Sequence, residues 1–149
     1  MPGGFTLLFA VIAAGVVVVA TLFFIKKEHE RSKKAAIARE VVSALIGYVN
    51  FLSRVAECFE NPKFEFPEMP SLDYIETNRV KLGEFGSMGH TVLELHDSIK
   101  GLGQNMKQVH AMFLTSPDNQ DYMTWTETHD TAWREALELQ EEFETVYLN

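Results

Sequence analysis

The side chains that could bind a metal or move a proton are five histidines, 21 acidic residues and one cysteine in a chain of 149. A di-metal site in a helical protein is built from Glu and Glu-x-x-His pairs on facing helices. No Glu-x-x-His occurs. The best cluster is His90, Glu94 and Asp97, at i, i+4 and i+7 on one helical face, with His96 and His110 on another. Three oxygen or nitrogen ligands could hold a divalent cation, but a solvated polar face explains the same residues without the ligand spacing that established sites require. The expectation is no metal and no cofactor.

His129 lies in an apolar stripe between Trp125 and Ala132, where a histidine could titrate near its ordinary pKa of about 6.5 and switch a core; more often such a residue is simply hydrogen-bonded. Gly83, Gly86 and Gly89 invite a phosphate-loop reading. The Gly-x-x-x-x-Gly-Lys-Ser/Thr spacing is absent, no strand precedes them, and Glu84 repels phosphate, so they read as an interhelical turn. Cys58 has no partner that spacing can identify and reads as a small apolar residue. No motif supports catalysis, and the expectation is a protein that is not an enzyme. Tyr122, Trp125, Trp133, Phe143 and Tyr147 spread around more than one face, and Tyr122, Trp125, Trp133 and Tyr147 are the candidates for partner contact.

The elements that position these residues follow from how charge and hydropathy divide. Residues 5–25 carry no charge, 26–39 carry +4, and 40–149 carry −12, which gives the net −8. The acidic part has no excess of Lys and Arg to displace counterions from phosphates, which excludes a sequence-independent nucleic-acid binder. One Cys excludes an intramolecular disulfide framework.

Residues 5–25 span about 31 Å as a helix, close to the roughly 30 Å hydrocarbon core of a bilayer. Fourteen of the 21 are Val, Ile, Leu or Phe, which favours insertion. The alternative, a cleaved signal peptide, lacks a positive leader and a small-residue cleavage site. Residues 1–25 are therefore expected to be a transmembrane anchor and 26–39 a basic juxtamembrane stalk. Lys26, Lys27, Arg31, Lys33 and Lys34 follow the span and no basic side chain precedes it, so the positive-inside rule puts the amino terminus outside and 40–149 in the cytoplasm. Thr6, Ala10 and Ala14 form a small-residue stripe that could let two membrane helices approach.

Beyond the stalk, Val41, Leu45, Tyr48, Leu52, Val55 and Phe59 step by 4, 3, 4, 3, 4. A connection at 61–70 with three prolines stops that helix, and Ser71 is placed to cap a short one ended by Gly83 and Gly86. Val92, Leu95, Ile99, Leu102, Met106, Val109 and Phe113 form a second stripe, despite Gly101 and Gly103. Ser116 and Pro117 open the last helix, with Tyr122, Trp125, His129, Ala132, Ala136, Leu139, Phe143 and Val146 as a third stripe. No period-two strand is visible. The fold class is all-α: an N-terminal transmembrane helix continuing into a small antiparallel helical bundle at 40–149.

Pro67, Pro70, Asn78, Leu82, Gly83 and Ile99, over residues 60–102, together with a span, a stalk and amphipathic helices, resemble a loose group of small bacterial single-pass membrane proteins. The resemblance implies a bacterial, membrane-tethered helical module and no known activity. The long, aromatic-rich last helix departs from that pattern. The expected function is a membrane-tethered helical interaction or scaffold protein in the inner membrane, partnered by lipid and by another protein or a second copy. The alternative is a sensor whose bundle binds a ligand or metal and signals through the stalk.

Overall fold

A computed structural model describes residues 2–59 and 65–149; Asn61 and Pro62 of the proline-rich connection lie outside the described residues. The elements are α1 (Pro2–Phe59), α2 (Asp73–Thr77), α3 (Arg79–Gly83), α4 (Ser87–Thr115), α5 (Gln120–Phe143) and a closing π-helical turn, Glu144–Leu148. No strand occurs among the described residues. The chain divides into two compact units, Met1–Ile37 and Ala38–Asn149.

The described residues of the first unit lie in α1, because no proline between Phe5 and Ile37 breaks the helix. Every described side chain from Gly3 to Lys34 is exposed, and the fourteen Val, Ile, Leu and Phe side chains of residues 5–25 are 56–81% exposed. This helix is long and apolar enough to cross a membrane. The Thr21 hydroxyl donates to the Val17 carbonyl at 2.7 Å, so this polar group inside the apolar run is satisfied within its own helix.

In the second unit the stripes read from the sequence form the core. Val41, Leu45, Tyr48, Leu52 and Val55 of α1 are fully buried, as are Val92, Leu95 and Ile99 of α4. Leu102, Met106 and Val109 continue the α4 stripe, and α5 contributes His129, Ala132, Ala136, Leu139 and Phe143. At the far end of the stripes the Phe59 ring centroid lies 5.1 Å from Trp125, 5.2 Å from His110 and 6.0 Å from Phe113. This aromatic cluster closes the core there.

Helix starts differ from those expected. Ser71 does not cap α2, whose N-cap is Leu72 with no side-chain bond, because the helix begins two residues later at Asp73. The single short helix is two, interrupted at Asn78, whose side-chain amide donates to the Tyr74 carbonyl at 2.8 Å. Asn119, not Ser116, caps α5: its Oδ1 accepts from the Asp121 N–H at 2.8 Å. At the carboxyl end Val146 was expected on the stripe but is exposed. The wider π turn brings Tyr147 over Phe85 and Phe143 instead, at 4.9 and 5.7 Å between centroids.

Glycines set two close approaches. Gly86, before α4, has φ 63°, a left-handed conformation that glycine adopts at little cost. Gly89 lies directly under the Leu82 carbonyl, so a Cβ there would collide with backbone. Gly103 receives the Met69 side chain, while Gly101 has nothing near its missing Cβ.

Candidate functional site

The chemically richest place in the second unit joins α1, α2, α3 and α4 through one chain of hydrogen bonds. Tyr48 faces inward on the α1 stripe, and its Oη lies 2.7 Å from His96 Nδ1. His96 Nε2 lies 2.7 Å from Glu76 Oε1, on α2. Arg79, at the start of α3, donates from Nε to Glu76 Oε2 at 3.0 Å and from Nη2 to Asp97 Oδ1 at 2.7 Å. Lys100 Nζ is 3.8 Å from Glu76 Oε1.

Bonding chemistry orders the donors and acceptors. The Glu76 carboxylate can only accept, so His96 Nε2 carries hydrogen and donates; a neutral ring then leaves Nδ1 to accept from the Tyr48 hydroxyl. Every group in the series is satisfied with a single neutral imidazole, and no buried side-chain nitrogen or oxygen among the described residues lacks a partner. The Arg79 and His96 hydrogen bonds hold the Glu76 carboxyl down at about 2, against its ordinary 4.5. Arg79 is pushed further up by its bonds to Glu76 and Asp97. Burial, and then the charges of Glu76 and Asp97, push the Tyr48 hydroxyl well above its ordinary range.

The order hydroxyl, imidazole, carboxylate is that of a catalytic triad. Here the hydroxyl is phenolic, held protonated and fully buried, so no substrate reaches it. The same residues include a metal-like group, since ligand atoms of Glu76, His96 and Asp97 lie within 4.8 Å of one another. The chemistry does not fit a cation: Arg79 already bridges the two carboxylates, and His96 Nε2 presents a hydrogen to Glu76 rather than a lone pair. The network is a polar clasp between elements.

Of the cluster read from sequence, His90 and Glu94 are exposed, as a solvated face requires, and Asp97 pairs with Arg79. His96, expected on a polar face, is fully buried. It sits beside Leu95 at the edge of the stripe, and a histidine flanking a core stripe was the one sequence signal for the clasp. Its acceptor, Glu76, lies on another element and could not be paired with it by spacing. His129 is buried as its stripe position requires. Its Nε2 donates to the Leu52 carbonyl at 2.8 Å, and its Nδ1 is 3.1 Å from Asp130 Oδ1. Cys58 is half-buried, and its thiol donates to the Glu65 carbonyl at 3.3 Å.

The four candidate contact aromatics separate. Tyr122 packs on Phe113 at 4.9 Å, Trp125 stacks with Phe59 and with His129, and Tyr147 packs on Phe85. Trp133 alone of the four is exposed, at 43%. A surface groove of about 470 Å³ runs between α4 and α5, lined by Ser98, Gly101, Asn105, Thr124, Trp125 and Thr128. No protein-family model matches the chain, and neither does a curated protein or a solved structure.

In the first unit, Lys26, Lys27, Arg31, Lys33 and Lys34 are all exposed, and Arg31 approaches Glu28 at 4.0 Å. Thr6, Ala10 and Ala14 are exposed on the apolar helix.

Proposed function

We propose that the chain is a single-pass inner-membrane protein of a bacterial cell, whose carboxyl-terminal part is a non-enzymatic helical interaction module held at the cytoplasmic face. The observation that carries this reading is the exposure of all fourteen large apolar side chains of residues 5–25, a surface that water disfavours and lipid accepts. The basic run 26–34 directly after it supports the inward orientation, and its lysines would sit at headgroup depth.

The module is a small bundle. Leu52 meets His129 while Phe59, further along α1, meets Trp125 and Tyr122, so α5 runs antiparallel to α1. Leu102 with Trp125 and Phe113 with Tyr122 give the same sense for α4 and α5. Tyr48 with His96 and Phe59 with His110 make α1 and α4 run the same way, and residues 65–86 return the chain between them. Its mechanism is tethering: confinement to the membrane plane raises the effective concentration of the module for a membrane-linked partner. The clasp supports this role rather than a sensor, because its polar groups satisfy one another and leave none aimed at a ligand. A fluorescent-protein or alkaline-phosphatase reporter fused after Asn149 tests the reading; a phosphatase-active, non-fluorescent fusion contradicts it.

A further inference from the structure

Along α5 the buried stripe has an unpartnered neighbour. Met123, Trp133 and Leu137 are 48, 43 and 40% exposed, and helical geometry places them within about a quarter-turn of one another, with Asp130 and Glu141 between and beside them. From Met123 to Leu137 this face extends about 21 Å, the length of four turns. A tryptophan and a leucine one turn apart form the apolar centre and carboxylates the rim, which is the anatomy of a helix-binding surface.

Charge selects the occupant. Residues 120–149 hold eight acidic side chains and one arginine, and the Asp130 carboxylate is 74% exposed. The same face of a second copy would set a net-acidic surface, with Arg134 its one cation, against its like, and anionic lipid would be repelled in the same way. The chain's own basic run, 26–34, has no apolar side chain to meet Trp133 and Leu137. We propose that this face docks a cationic amphipathic helix of a partner protein, about four turns long, with its apolar side chains between Trp133 and Leu137 and its Lys or Arg against Asp130 and Glu141. This rests on the interaction-module reading and names the chemistry of its partner.

The test uses the full chain in phosphatidylcholine nanodiscs, with empty discs as the blank. Anisotropy is followed for a fluorescein-labelled 18-residue Leu/Lys amphipathic peptide and for its Leu/Glu counterpart. The Lys peptide is expected to bind saturably and the Glu peptide not at all. Trp133→Ala with Leu137→Ala, and separately Asp130→Asn, which keeps an acceptor for His129, with Glu141→Lys, should each weaken binding at least tenfold while the circular-dichroism melt is retained. Equal binding of both peptides, no binding of the Lys peptide, or an unchanged titration in either double variant overturns the proposal. So does a dimer in sedimentation that Trp133→Ala dissociates, because the occupant is then a second copy. Retention in carbonate-washed membranes is measured separately: loss of retention with intact peptide binding removes the tether reading and leaves this one standing, and the reverse result removes this one alone.

Discussion

Tyr48 ends the clasp and Glu76 stands at its middle, and each gives a distinct prediction. Tyr48→Phe keeps the ring in the core but leaves His96 Nδ1 buried without its donor, which costs about 1–3 kcal/mol. Chemical denaturation of wild type and variant is expected to show that loss, and equal midpoints would mean the hydrogen bond contributes nothing. Glu76 has a depressed carboxyl pKa, so its contribution is fully present above about 4.5 and is lost as pH falls toward about 2. Arg79, His96 and Lys100 face it, and its side chain is 39% exposed, so solvent and salt screen the effect. Melting temperatures from pH 6 down to pH 2.5 are expected to fall less steeply in Glu76→Gln than in wild type. Parallel curves would place the acid sensitivity elsewhere. The sequence showed that His129 belongs to a core stripe because its period is that of its neighbours. It could not show His96 buried, since that depends on Glu76 arriving from an element twenty residues earlier.

At the scale of elements, the stripes of α1, α4 and α5 were legible because a helix that buries one face must repeat apolar residues every three or four positions. The helix starts were less so. Ser71 and Ser116 are good capping residues by type, yet they lie two and four positions before the first helical residue of their elements, and Asn119 took the second role. The glycines of α4 also look alike in sequence and differ in space. Gly89→Ala drives a Cβ into the Leu82 carbonyl, a backbone atom that can move only if α3 shifts, so a loss of about 1–3 kcal/mol is expected. Gly101→Ala meets nothing and gains helix propensity, about 0.5–1 kcal/mol. Thermal melts of the two variants should therefore move in opposite directions. A Gly89→Ala protein as stable as wild type would mean that α3 and α4 separate freely.

For the whole molecule, the average charge of −8 describes neither unit, since an uncharged run and a +4 collar precede a −12 remainder. That division is a property of linear composition and was readable directly. The surface of α5 was not, because four aromatics at similar spacing were indistinguishable until three of them found ring partners inside the fold. The central claim is a membrane anchor with its helical module in the cytoplasm, and the most direct measurement is a green fluorescent protein fused after Asn149, assayed in carbonate-washed bacterial membranes. A fluorescent fusion retained in the washed membranes is expected. A dark fusion at normal abundance, with matching phosphatase activity when that reporter replaces it, or fluorescence released by the wash, would contradict the account.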